Sequence, residues 1–339
     1  MSTDEDDHRR GLLFGGSAYL AWGLFPLYWP LLKPAGALEI LAHRMIWSLA
    51  FMVLVLSVRR GWSSVRQVAS DQRTFRRLSV AAVLVSVNWG VYIWGVNNHH
   101  VVETSLGYFI NPLLTILLGV VVLHERLNRV QWAAVAIASV AIVVLTVDYG
   151  RLPWIALVLA ASFAGYGFIK KQVSVGALES LTIETSVLAL PALITLILLG
   201  ARSQLAFAHH GMGNSLLLAG TGVVTAIPLL MFGAGARRLP LSTIGLLQYL
   251  APVLQFAVGV GIRHEPLPPA RLAGFALVWL ALVILTVNAV RNSRKAPMSA
   301  AGAIALAGPA GLAAVGADHD QAQAAEEHQR QQDLGRGTD

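Results

Sequence analysis

Residues 105–147 read SLGYFINPLLTILLGVVVLHERLNRVQWAAVAIASVAIVVLTV, and residues 245–287 read GLLQYLAPVLQFAVGVGIRHEPLPPARLAGFALVWLALVILTV. A single offset of 140 places Pro112 on Pro252, Gly119 on Gly259, Leu127 on Leu267 and His124-Glu125 on His264-Glu265. The same offset pairs Gly95 with Gly235 and Leu145-Thr146-Val147 with Leu285-Thr286-Val287. Apolar segments match one another by chance, so leucines and valines carry little weight. A His-Glu pair, two prolines and two glycine pairs under one offset carry much more. Upstream, AYLAWG ending at Gly23 resembles SFAGYG ending at Gly167, and Glu39 falls opposite Glu184 at an offset of 145. The chain reads as two copies of one unit.

Each copy is built of long apolar segments. Of 339 residues, 55% are hydrophobic and 13% charged, against about 25% charged in an ordinary soluble domain. So much apolar surface finds no aqueous home in a chain of this length. A helix that crosses a bilayer needs about 20 apolar residues. Ten segments qualify: 11–32, 37–58, 78–98, 102–123, 130–147, 152–169, 180–200, 215–235, 242–262 and 270–290. The first follows MSTDEDDHRR and is longer than a signal-peptide core, with no evident cleavage site after it, so it is expected to stay in the protein.

Lys and Arg collect on the cytoplasmic side of membrane proteins. With the N-terminus inside, seventeen basic residues flank the spans on the inner side, Arg9, Arg59, Arg73, Arg126, Lys170, Arg237 and Arg291 among them. Five lie opposite: Lys33, Arg151, Arg202, Arg263 and Arg271. A unit of five spans is odd, so the second copy must be inverted, and the loop charges follow. Asn97-Asn98-His99-His100, outside, carries no Lys or Arg, whereas its counterpart Arg237-Arg238-Leu239-Pro240, inside, carries two. Arg126 and Arg129 are inside; their counterparts Pro266 and Pro269 are outside. The expected fold is an all-α integral membrane protein with ten transmembrane helices as two inverted five-helix repeats. Its parts are a cytoplasmic segment 1–10, repeats 11–147 and 152–290, and a disordered cytoplasmic tail 296–339 that has no periodicity.

Inverted repeats are common in secondary transporters, whose substrate sites lie near the midplane where the halves meet. Candidate residues are therefore the polar ones inside spans, where an ionised side chain costs about 2.5–3.5 kcal/mol on insertion scales. Glu39, His43 and Trp47 share a face of the second span. Glu39 and His43 are candidates for substrate binding or coupling, with a helix-start carboxylate and a hydrogen-bonded histidine as the competing reading. A histidine beside a carboxylate titrates in the physiological range, as proton coupling requires. Glu184 is the inverted counterpart of Glu39. Arg44 is expected to form a structural ion pair with a carboxylate. Asn88, Trp89, Tyr92, Tyr108 and Asn111 form the densest polar-aromatic band, and Gln248 and Tyr249 repeat it in the second copy. Trp22 joins from the first span. Pro112 frees the carbonyl of Tyr108, which marks a kink beside a cavity. Cavity lining competes here with interhelical bonding, and the aromatics near span ends compete with an interfacial belt.

Other chemistries find no support. There is no cysteine, hence no disulfide and no thiolate site. His99 and His100 are adjacent and point apart on a helix, so no metal is expected. His124-Glu125 is read as capping a turn. No phosphate-cradling glycine loop, nucleophile elbow or HExxH motif is present, and no cofactor is implied. The formal charge of +7 belongs to membrane anchoring and not to nucleic acid. The partners are the lipid bilayer, a small solute and protons; no oligomeric state follows from the sequence. An integral membrane enzyme or a membrane scaffold is the alternative to a transporter.

The segments AYLAWGLFPLYWP (18–30), EILAHRMIW (39–47), NWGVYIWGVNNHH (88–100), ETSLGYFINPLL (103–114), HERL (124–127) and IPLL followed by LPLSTIGLLQYLAP (227–252) together resemble the RarD family of permeases. That family belongs to the EamA branch of the drug/metabolite transporters. The resemblance covers residues 10–291 and implies a bacterial inner-membrane protein with ten helices and both termini inside. It also implies export of amino acids, drugs or related metabolites. His264, where a glycine is usual, and the appended tail depart from the pattern.

Overall fold

In the computed structural model, residues 3–123, 127–173, 175–236, 238–239, 243 and 247–293 are described. All regular structure among them is helical, with no strand. The helices are α1 (Thr3–Tyr28), α2 (Ala37–Arg59), α3 (Trp62–Ser70), α4 (Gln72–Asn97), α5 (Val101–Leu123) and α6 (Arg129–Tyr149). They continue with α7 (Trp154–Lys171), α8 (Ala177–Ala201), α9 (Gly211–Ala236), α10 (Leu250–Ala257) and α11 (Pro269–Ser293). Seven of them, α2, α4, α5, α6, α8, α9 and α11, contain stretches long and apolar enough to cross a membrane. The apolar stretch of α7 and the run Leu250–Ile262 are shorter. The expected tail, His124-Glu125 and Arg237 lie outside the described residues.

Local chemistry sets the helix ends. Asn128 and Gln131 form a capping box at the start of α6, so two terminal N–H groups find acceptors. Gly150 then stops α6 with φ at 65°, a left-handed turn that costs glycine nothing. Asp71 accepts the Arg73 N–H and so caps α4.

One helix was not expected. Between the second and third spans the basic stretch folds into α3, whose Val65 is buried with Leu56, Leu78 and Ile183. Trp62, Val65 and Val68 recur at helical spacing, enough to fasten one narrow face.

Packing joins distant parts of the chain. Helix α1 lies against α9 and α10, while α7 lies against α4 and α5. Helix α2 packs on α8 and α9, α8 also on α4, α6 on α11, and α5 on α10. Small residues allow these approaches. A Cβ on Gly222 of α9 would overlap the backbone carbonyl group of Trp47 in α2, and one on Gly107 of α5 would sit 2.8 Å from the carbonyl oxygen of Ala156 in α7. One buried apolar cluster joins α5, α6, α7 and α11 through residues such as Phe109, Leu145 and Phe275. A second joins α1, α2, α4 and α9 through Phe25, Trp29, Ile40, Tyr92 and Leu218.

Candidate functional site

At one end of the bundle, three buried carboxylates accept from backbone N–H groups. Glu39 of α2 accepts from Ala206 at 2.9 and 3.1 Å and from Phe207 at 2.9 Å. Glu103 accepts the N–H of Ile155 at 3.2 Å and forms a bidentate pair with Arg151. Glu265 accepts the N–H groups of Val101 and Val102 at 2.6 and 2.8 Å. Orphan donors at a helix start favour a carboxylate through both hydrogen bonding and the helix dipole. Glu39 thus fastens the α8–α9 connection, Glu103 the start of α7, and Glu265 the start of α5.

His43 stands between Glu39 and Trp47, as the spacing predicts. The Trp47 indole N–H donates to His43 Nδ1 at 3.2 Å. In the neutral ring the proton is then on Nε2, the nitrogen 3.9 Å from Glu39 Oε1. Phe207 lies over the imidazole with centroids 4.6 Å apart.

Glu184 of α8 is held differently. Lys170 Nζ pairs with its Oε1 at 3.0 Å, the Ser180 hydroxyl donates to the same oxygen at 2.6 Å, and the Tyr166 hydroxyl donates to Oε2 at 3.1 Å. Lys170 also meets Ser180. From Tyr166 a line of rings runs inward. Phe163 stacks on Tyr166 at 6.2 Å, Tyr108 meets Phe163 edge-on at 5.7 Å, and Tyr92 meets Tyr108 at 5.6 Å.

Asn88 is bound on both sides. Its Nδ2 donates to the Leu159 carbonyl at 2.9 Å and to Ser162 at 3.2 Å, and its Oδ1 accepts the Tyr108 hydroxyl at 3.1 Å. It ties α4 to α7 while orienting Tyr108. Asn111 Oδ1 and the Tyr92 hydroxyl are buried without partners among the described residues. Trp22 packs with Tyr19 and Phe232, and its carbonyl accepts from Gln255 at 3.2 Å. Gln248 adjoins the undescribed segment 244–246. Tyr249 packs on the α5–α6–α11 cluster.

Arg44 corrects an expectation. Among the described residues no carboxylate pairs with it. Its Nε donates to Thr225 of α9 at 2.8 Å, and the guanidinium carbon lies 3.7 Å from the Trp89 ring centroid, 5.2 Å from Trp29 and 5.8 Å from Phe25. The nearby carboxylate on the same helix, Glu39, is taken up by amides. Cation–π contact, worth about 2 kcal/mol or more when desolvated, stands in place of the ion pair.

Sequence reasoning did not single out Tyr166, Phe163, Lys170 or Thr225. A signal existed for two of them, since Phe163 and Tyr166 are the repeat counterparts of Tyr19 and Trp22 at the offset of 144. Among the described residues no three His, Asp or Glu side chains gather for a metal ion.

A bundle whose described residues form only helices, seven of them long and apolar enough to cross a bilayer, is that of a multi-pass membrane protein. Residues 9–147 match the EamA-like transporter family. The chain is 58% identical over 308 residues to "Protein RarD" of Streptomyces exfoliatus, covering 90% of this chain and 98% of that one. It is 42% identical over 292 residues to "Protein RarD" of Escherichia coli strain K12, covering 86% and 99%. It is also 42% identical over 290 residues to "Uncharacterized transporter YojE" of Bacillus subtilis strain 168, covering 84% and 96%. The chain belongs to the RarD family of EamA-like membrane transporters. A solved crystal structure, 18% identical, superposes with a TM-score of 0.54 over 83% of this chain and 98% of that one, a likeness of fold.

Proposed function

We propose that this membrane transporter is a proton-coupled exporter of a small organic solute, an amino acid, drug or related metabolite, working by alternating access. Its ten spans form two inverted five-helix halves, 11–147 and 152–290, in a bacterial inner membrane with both termini cytoplasmic. The observation that carries this reading is the crosswise pairing of helices. When each helix is exchanged for its repeat counterpart, α1 on α9 becomes α7 on α4, α1 on α10 becomes α7 on α5, and α2 on α9 becomes α8 on α4. The pairs α2 with α8, α5 with α10 and α6 with α11 map onto themselves. Two halves that touch through equivalent surfaces can rock about a central site.

The site in this reading is the polar-aromatic band of Trp22, Asn88, Trp89, Tyr92, Tyr108 and Asn111. Glu39 with His43, and Glu184 with Lys170, stand toward opposite faces as gates or alternately accessible proton sites. Two experiments test it. With no native thiol, a cysteine at Asn98 reacts with an impermeant maleimide in intact cells and one at Arg73 does not; the reverse pattern overturns the orientation. Metabolite profiles of medium from overexpressing and deleted strains then differ in at least one solute, and identical profiles count against export.

A further inference from the structure

The guanidinium of Arg44 is buried at 3% exposure, yet no carboxylate among the described residues answers its charge. It lies seven residues into α2, about 10 Å along the helix axis. Among the described residues its Nη1 is buried without an acceptor, and the Ser48 hydroxyl one turn along α2 and the Tyr92 hydroxyl are likewise without partners. The repeat counterpart at the offset of 145 is Ala189, so the equivalent crossing in the other half packs without a charge. The charge is therefore not what that helix geometry requires.

Among the described residues the guanidinium is held on one face and at Nε, and its Nη1 has no acceptor. Trp89 covers a face, Thr225 takes Nε, and the side chains come from α1, α2, α4 and α9, hence from both halves. A guanidinium with an unmet Nη1 in an apolar, aromatic setting fits a carboxylate oxygen as its acceptor. One cation, with no second beside it among the described residues, balances a monoanion and not a phosphate dianion.

We propose that Arg44 is the substrate-recognition residue for a monocarboxylate, free or within a zwitterion, whose apolar body lies among Trp89, Trp29 and Phe25. This rests on the transport reading above. The anion supplies the missing partner and is released when the halves rock apart.

The test uses the full chain in phosphatidylcholine nanodiscs, which offer no anionic headgroup. Aliphatic and aromatic monocarboxylates and L-amino acids are each paired with their carboxamides, with inorganic phosphate alongside, and the shift of the unfolding temperature is followed. At least one acid stabilises the wild type, its amide binds about tenfold more weakly or worse, and Arg44→Gln erases the difference while Arg44→Lys keeps part of it. No stabilising acid, equal binding of acid and amide, preference for phosphate, or undiminished discrimination in Arg44→Gln each overturns the assignment. If the Arg44 variants fail to fold, the acid–amide comparison on the wild type decides. A neutral solute exported by the wild type leaves transport standing and sinks the anion site alone.

Discussion

The carboxylate of Glu265, in the connection before α11, caps the N-terminus of α5 by accepting the Val101 N–H at 2.6 Å across 164 residues of chain. Val102 donates to its other oxygen, so one side chain answers two orphan donors of a buried helix start. Removing it leaves two buried donors unsatisfied, at about 1–3 kcal/mol for each. Glu265→Ala is therefore expected to lower stability by the sum of the two in mixed-micelle unfolding. Glu265→Gln, which keeps one acceptor oxygen, loses less. Equal stability of wild type and Glu265→Ala counts against the cap.

The crossing of α2 and α9 depends on Gly222. Because a Cβ there overlaps the Trp47 backbone, Gly222→Ala forces the helices apart and costs about 1–3 kcal/mol, as overpacking does. On the same helix a Cβ on Gly213 would meet nothing within 4 Å. Gly213→Ala is expected to be neutral or to stabilise by up to about 1 kcal/mol through helix propensity. The two variants, compared in one unfolding assay, separate packing from propensity.

The proposed proton coupling through Glu39 and Glu184 has a direct readout in vesicles with an imposed pH gradient. Glu184→Gln removes the charge that Lys170 and Tyr166 answer, and the expected result is transport with altered pH dependence. Glu39→Gln turns an amide donor toward the Ala206 or Phe207 N–H, so it both alters coupling and loosens the α8–α9 connection. A cysteine at Ala208 is then expected to label faster in that variant. Unchanged pH dependence in both variants makes these carboxylates structural.

At the start of α4, Asp71 is exposed, and the Thr74 hydroxyl and then the Arg73 N–H hold its carboxyl below the usual aspartate range. A depressed folded value contributes stability above the ordinary pKa of about 4 that is lost as pH falls through the depressed value. The protection factor of the Arg73 amide, its exchange measured against the intrinsic rate at each pH, is expected to be higher at neutral pH than in acid. Asp71→Ala is expected to show the lower protection at every pH.

Much of the bundle was legible because a bilayer makes strong demands. Segment length follows from hydrocarbon thickness, and helical backbone from the need to satisfy every peptide group in lipid; both act on each segment separately. Observed helices such as α5 and α6 begin and end within a few residues of the expected spans for that reason. Helix α3 escaped notice because three apolar residues in a basic stretch say little until Leu56, Leu78 and Ile183 are beside them.

The partners of the candidate residues were not legible in the sequence. Spacing put Glu39, His43 and Trp47 on one face, since neighbours along a helix are fixed by its pitch. That Glu39 spends its oxygens on Ala206 and Phe207, leaving Arg44 to Trp89 and Thr225, depends on residues far away along the chain. The sequence by itself determined that these helices enter the membrane and which polar residues go with them, because lipid judges one segment at a time. Only the tertiary structure decided which charge meets which partner, because a hydrogen bond or a ring contact exists only when distant helices have packed.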